Sequence, residues 1–168
     1  ELAAGAAALD THGAVLPEET VQSIEAYRVA LKGPITTPIG KGFTSVNVGL
    51  RKRLNLFAAV RPVRSMPGIK TRYDNVDLVV IRENTEGLYS GIENEITPGV
   101  VQSLKVATQE GCWRIAKFAL RYAKERERKR VTIFHKANIM KLSDGLFLRC
   151  AHEAHEKLGI DVELDELI

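Results

Sequence analysis

Cysteine is scarce in this sequence, with only Cys112 and Cys150 present. Two thiols that far apart make neither a disulfide framework nor a thiolate metal site. Both fall on apolar faces of predicted helices, so they read as free core thiols, which suits a reducing compartment. Long apolar runs are missing too. Runs such as Leu78-Val79-Val80-Ile81 are far short of the roughly 18 residues that cross a bilayer, so no membrane insertion is expected. Aromatics make up 6% and do not interleave with the basic residues, so nucleic-acid binding is not expected. There is no internal repeat and no low-complexity tract beyond the Ala-rich start. No Met opens the chain and no basic segment precedes an apolar stretch, so no signal peptide is expected. The chain reads as a fragment that begins inside an established fold and stops at Ile168 as a strand finishes.

What is present is ordinary globular composition. The 168 residues are 45% apolar and 27% charged, which suits about one domain. Net charge is +3, and its distribution matters more than its sum. Arg51, Lys52, Arg53, Arg61, Arg64, Lys70 and Arg72 crowd into one stretch. A second basic run, Arg121 to Arg130, suits the solvated C-terminal end of a helix.

The apolar pattern predicts a short helix over Thr20–Ala26, a strand over Tyr27–Leu31 and a helix over Ser45–Leu54. Between the last two lies a Pro/Gly loop, Gly33 to Gly42, unsuited to a helix or a central strand. Asp77–Arg82 reads as a buried strand, apolar on both faces. Val100–Lys124 shows helical spacing through Leu104, Ala107, Gly111, Ile115, Phe118 and Tyr122. Val131–Phe134 reads as a strand, Ile139–Lys157 as a helix and Ile160–Leu164 as a further strand. Alternating strands and helices imply an α/β fold with a largely parallel sheet and helices on both faces.

Three segments carry polar groups where such folds place their ligands, at the carboxyl ends of strands. The first is Lys32 with the loop after it, leading to Ser45, Asn47 and Arg51. Asn47 and Arg51 are four apart and share a helix face, with Ser45 at the helix start. The second is Arg61-Pro62 together with Arg82-Glu83-Asn84-Thr85-Glu86-Gly87-Leu88-Tyr89. The third is His135-Lys136-Ala137-Asn138. Each has an ordinary alternative. Arg51 to Arg53 suit a solvated helix face, Arg82 could pair with Glu83 or Glu86, Lys136 could be a loop lysine and Tyr89 a packing aromatic. Their coincidence, with too few acids nearby to neutralise them, suits a small ligand with several carboxylates, which guanidinium groups bind bidentately.

Ser45-x-Asn47-x-x-x-Arg51, Val60-Arg61-Pro62, Arg82 to Gly91 and His135-Lys136-Ala137-Asn138-Ile139-Met140 resemble the isocitrate/isopropylmalate dehydrogenase family. The likeness runs from about Val29 to the C-terminus. Ser-x-Asn, and Asn84-Thr85-Glu86-Gly87 in place of Leu-Thr-Gly-Gly, resemble the branch of NAD-dependent isocitrate dehydrogenase subunits of mitochondria. The resemblance implies that a catalytic-type subunit carries out oxidative decarboxylation of isocitrate to 2-oxoglutarate. The alternatives are a regulatory subunit or a structural component.

It further implies that Lys32, Ser45, Asn47, Arg51, Arg61 and Arg82 bind substrate. Tyr89 would protonate carbon after decarboxylation, Lys136 would work with the substrate hydroxyl from a partner subunit, and Thr37 and Asn138 would approach the nicotinamide of NAD. The implied Mg²⁺ or Mn²⁺ would polarise the new carbonyl, but the family's metal-binding aspartates would lie beyond Ile168. The family uses its own cofactor loop, and no Gly-x-Gly-x-x-Gly occurs here. The chain alone is therefore expected to be inactive. Residues 1–56 would belong to a large domain, 57–85 and 106–168 to a small domain, and 86–105 to a segment interlocking subunits of a homo- or hetero-oligomer. The implied location is the mitochondrial matrix in a eukaryote and the cytoplasm otherwise.

Overall fold

The computed structural model describes residues 1–36 and 45–168, so the expectation for Thr37 lies outside the described residues. The chain divides into two units, 1–56 and 57–168.

Among its described residues the first unit holds three helices, α1 (Ala6–His12), α2 (Glu18–Tyr27) and α3 (Val46–Arg53). Ala8, Val21 and Val46 are buried apolar residues there. Gly5 has φ +83, and an added Cβ would sit 2.8 Å from the Thr36 carbonyl oxygen, so only glycine fits there. The expected strand over Tyr27–Leu31 does not form. Arg28 instead closes α2 in the left-handed conformation, its N–H donating to the Ile24 carbonyl at 2.7 Å. Val29 and Leu31 stay exposed. A strand needs a neighbour for its backbone groups, and among the described residues none pairs here.

The second unit carries six strands in three two-stranded ladders. In the first, β1 (Ala58–Arg64) runs antiparallel to β2 (Asp77–Glu83). The second joins β3 (Gly87–Thr97) to β4 (Val100–Val106), also antiparallel. Only β5 (Arg130–Phe134) and β6 (Glu163–Leu167) run parallel. The expected α/β fold, incomplete in this chain, is present, but among the described residues two of its three ladders are antiparallel rather than parallel. The apolar run at 78–81 suggested a strand covered on both faces. In fact Leu78 and Val80 are 46% and 48% exposed. Strand β1 was not anticipated, because Arg61, Pro62 and Arg64 break its apolar alternation.

The expected helix from Val100 is also corrected. Val100–Val106 is a strand, and helix α4 starts only at Gln109 and runs to Glu125. Pro98-Gly99, with Gly99 at φ +83, turns β3 back on β4, as in a turn with proline followed by a left-handed glycine. Thr108 then caps α4, its Oγ1 accepting the Gly111 N–H at 3.0 Å. Leu104 and Ala107 match the helical spacing of the residues that follow only by chance.

Helix α5 spans Ser143–Leu158 and ends on Gly159 in the left-handed conformation. Residues 139–142, expected as its first turn, belong to the turn before it. Strand β6 starts three residues later than expected, because Ile160 and Val162 are drawn into the core. That core joins α4 (Ala116, Leu120, Ala123) to α5 (Ala151, Ala154) and to Ile133 of β5. Burying Leu120, 1% exposed, contributes about 2 kcal/mol. Cys112 and Cys150 are buried and unpaired, as expected. Burial, with smaller contributions from Cys150 and nearby acids, pushes the Cys112 thiol up to about 11, so it stays protonated.

Candidate active site

Strand pairing builds the first part of the site. Arg61 opposes Val80 and Ala59 opposes Arg82. Opposed residues share a face, so Arg61 and Arg82 are diagonal neighbours on the same side of the β1–β2 ladder. Arg61 is exposed and Arg82 half-buried. The chain then turns back after Glu83 and brings Tyr89 over Arg82. The guanidinium lies 4.8 Å from the Tyr89 ring centroid and donates to its hydroxyl at 2.9 Å. It also donates at 3.1 Å to Oδ1 of Asn84, which is 6% exposed. The buried Arg82 Nε has no acceptor. Because the phenolic oxygen accepts from Arg82, its own proton is directed elsewhere and is available to donate.

The two glutamates of this motif do not neutralise Arg82. Glu83 accepts from Thr85 N–H at 2.8 Å, Thr85 Oγ1 at 2.6 Å and Glu86 N–H at 2.7 Å, closing the turn on itself. Arg114 lies 3.8 Å from the same carboxylate. Glu86 accepts the Thr108 N–H at 3.0 Å and also its hydroxyl, at the N-terminus of α4. A carboxylate there also meets the positive end of the helix dipole. The alternative in which Arg82 pairs with Glu83 or Glu86 is thereby excluded. Both acids are engaged in structural contacts, and neither pairs with the arginine.

Lys136 and Asn138 lie together in the turn between β5 and α5, and both are exposed. The Lys136 carbonyl accepts from Ile139 N–H at 3.0 Å and Met140 N–H at 2.7 Å. His135 Nδ1 accepts the Ala137 N–H at 3.0 Å. Lys136 N–H donates to Asp144 Oδ2 at 2.7 Å. Among the described residues, nothing accepts from the Lys136 ammonium.

In the first unit, α3 carries Asn47 and Arg51 one turn apart, with Ser45 at its N-cap. The Ser45 side chain makes no capping bond, which leaves its hydroxyl for another partner. Of the neighbouring cations, Arg53 pairs with Glu18. Lys32 is exposed, its ammonium donating to the Gly33 carbonyl at 2.8 Å.

The structure thus makes three groups of the expected residues: Ser45, Asn47 and Arg51 on one helix, Arg61, Arg82 and Tyr89 around one ladder, and Lys136 with Asn138 in one turn. Among the described residues, no cluster of three His, Cys, Asp or Glu side chains could hold a metal ion. Sequence reasoning missed Asn84, Lys105, Asp144 and the Glu86–Thr108 cap. Only Thr108, a capping residue type ahead of an apolar helical pattern, left a readable signal.

The isocitrate/isopropylmalate dehydrogenase family profile matches residues 1–168. The chain is 56% identical over 151 residues to the probable alpha chain of a mitochondrial NAD isocitrate dehydrogenase of Drosophila melanogaster, covering 90% of this chain and 40% of that protein. It is 52% identical over 150 residues to the chloroplastic 3-isopropylmalate dehydrogenase of Solanum tuberosum, covering 89% and 42%. To a regulatory subunit of the mitochondrial NAD isocitrate dehydrogenase of Dictyostelium discoideum it is 51% identical over 161 residues, covering 91% and 46%. The crystal structure of an isocitrate dehydrogenase from Methylococcus capsulatus superposes with a TM-score of 0.90 at 47% identity, over 99% of this chain and 50% of that one. The chain spans less than half the length of these curated relatives.

Proposed function

The chain belongs to the isocitrate/isopropylmalate dehydrogenase family, and on that premise we propose that it is part of a catalytic-type subunit of a multi-subunit, NAD-dependent isocitrate dehydrogenase. The observation that carries this reading is the Arg82–Tyr89 pair. A half-buried guanidinium with an unused Nε stands beside Arg61, as a tricarboxylate would require. A phenol with a free proton sits against it.

In this reading Arg61 and Arg82 take carboxylates of isocitrate by charge-assisted hydrogen bonds. Ser45, Asn47 and Arg51 supply further contacts, as does Lys32. Lys136 accepts the hydroxyl proton during oxidation. Tyr89 gives its phenolic proton to the carbon that loses carbon dioxide. NAD accepts the hydride, with Asn138 beside its nicotinamide. When bound, Mg²⁺ or Mn²⁺ would polarise the new carbonyl, and the resemblance places the aspartates that would hold it outside these 168 residues. The 168 residues alone are accordingly expected to be inactive.

Residues 1–56 serve as part of the large domain, and 57–85 with 106–168 as the small domain. Residues 86–105 form the interlocking segment. A two-stranded hairpin is marginal by itself, and Ile92, Ile96, Val100 and Val101 of β3 and β4 are exposed. A second subunit covering them supports a homo- or hetero-oligomer that shares its sites. The mitochondrial relatives support the mitochondrial matrix as location in a eukaryote. No helix among the described residues is long and apolar enough to cross a membrane.

The regulatory relative keeps a second reading open, that of a non-catalytic subunit of the same enzyme. The presence of Ser45, Asn47, Arg51, Arg61, Arg82, Tyr89 and Lys136 together supports the catalytic one. NADH formation by the full-length protein with its partner subunits tests the proposal. Turnover of isocitrate is expected. Turnover of 3-isopropylmalate alone would reassign the substrate, and no loss on Lys136→Met would make the subunit regulatory.

A further inference from the structure

A buried carboxylate holds the turn that carries Lys136. Asp144, in the first turn of α5, is 7% exposed. Its Oδ2 accepts the Lys136 N–H at 2.7 Å, and its Oδ1 accepts from the Lys105 ammonium. Its own N–H donates to the Met140 carbonyl at 3.0 Å, and Met140 N–H returns to the Lys136 carbonyl at 2.7 Å. Each backbone polar group of Lys136 is therefore bound, and one bond of each leads back to Asp144, directly or through Met140. Burial alone would raise the Asp144 carboxyl. The hydrogen bonds from Lys105 and from the Lys136 amide outweigh it and hold the group below the usual carboxylate value. Asp144 is thus charged at neutral pH, and Lys105, on β4, is its counter-ion.

We propose that Asp144 and Lys105 are a positioning pair for Lys136. The carboxylate fixes the backbone of Lys136, and Lys105 fixes the carboxylate. The inference rests on the reading in which Lys136 takes the hydroxyl proton. Its physical basis is the steep dependence of proton transfer on position, since a displacement near 1 Å can cost about 100-fold in rate. Neither residue needs to touch substrate. Their loss should therefore lower kcat and leave KM for isocitrate nearly unchanged.

The test uses the full-length enzyme with its partner subunits. Asp144→Asn keeps an oxygen for the Lys136 N–H but loses the charge that holds Lys105. Lys105→Met removes the counter-ion. Each is expected to lower kcat by about 10-fold, the equivalent of one weakened hydrogen bond, with KM held within threefold. The double variant should lose little more than either single one, because the two act through one contact. Lys105→Arg should recover most of the rate. Hydrogen exchange in the peptide 135–141 should quicken in the single variants and return in Lys105→Arg.

A kcat within threefold of the parent in both Asp144→Asn and Lys105→Met, while Lys136→Met is inactive, overturns the positioning pair alone. Losses that multiply in the double variant overturn it as well. Full activity in Lys136→Met sinks the underlying assignment instead, and the pair with it.

Discussion

Glu86 accepts both the amide and the hydroxyl of Thr108, twenty-two residues away, and so ties the turn after β2 to the N-terminus of α4. The tie runs through the motif that also presents Arg82, so the stability of this corner and the placement of the arginine share one carboxylate.

Gly111 leaves the space this contact needs. A Cβ at Gly111 would lie 2.5 Å from the Glu86 carboxylate. Glycine to alanine inside a helix usually stabilises by about 0.5–1 kcal/mol. Gly111→Ala should not, because displacing Glu86 forfeits its hydrogen bonds from the Thr108 amide and hydroxyl, each worth about 1 kcal/mol or more. Thermal unfolding of the full chain should show no rise in Tm for Gly111→Ala and a fall for Thr108→Ala. A clear rise for Gly111→Ala would mean that Glu86 moves aside without cost.

Arg82 stands at the end of β2, with its guanidinium shared between Tyr89 and Asn84. Arg82→Leu in the complete enzyme should reduce kcat/KM for isocitrate by about 2–5 kcal/mol, the cost of removing one member of a desolvated charge pair. Arg82→Lys should recover only part of this, since an ammonium cannot bind the carboxylate in a fork. Unchanged steady-state kinetics in Arg82→Leu would leave the residue a purely structural role under Tyr89.

Tyr89 and Lys136 serve different halves of the proposed reaction. Pre-steady-state NADH formation separates them, with losses of about 10²–10⁴-fold expected for acid–base groups. Tyr89→Phe should retain the NADH burst and slow the protonation of the enol that follows carbon dioxide release. Lys136→Met should abolish the burst. The opposite pattern would exchange the two roles.

Much of this is legible from the chain alone. The motif Arg82 to Gly91 and the run His135 to Met140 mark the residues to watch. Helices α2 and α3 follow from local spacing, since a helix satisfies its own backbone within the segment. Strand β5 does too, as a short apolar run bounded by charges. Strand direction is not legible. The apolar stretch Leu78 to Ile81 is compatible with a parallel or an antiparallel neighbour, and the choice comes from β1, a strand whose arginines and proline disguise it.

Sequence alone determined the chemistry on offer, because residue type sets charge and donor capacity and the motif spacing sets which groups share an element. Only the tertiary structure decided which charges remain free. Glu83 and Glu86 stand one and four residues from Arg82 and neutralise neither it nor Arg61, because the turn folds them onto Thr85 and Thr108 instead. Asp144 gave no signal at all. Its partners are a backbone amide eight residues before it and a lysine thirty-nine residues before it, and such partners meet only when the packing of α5 and the hairpin brings them together.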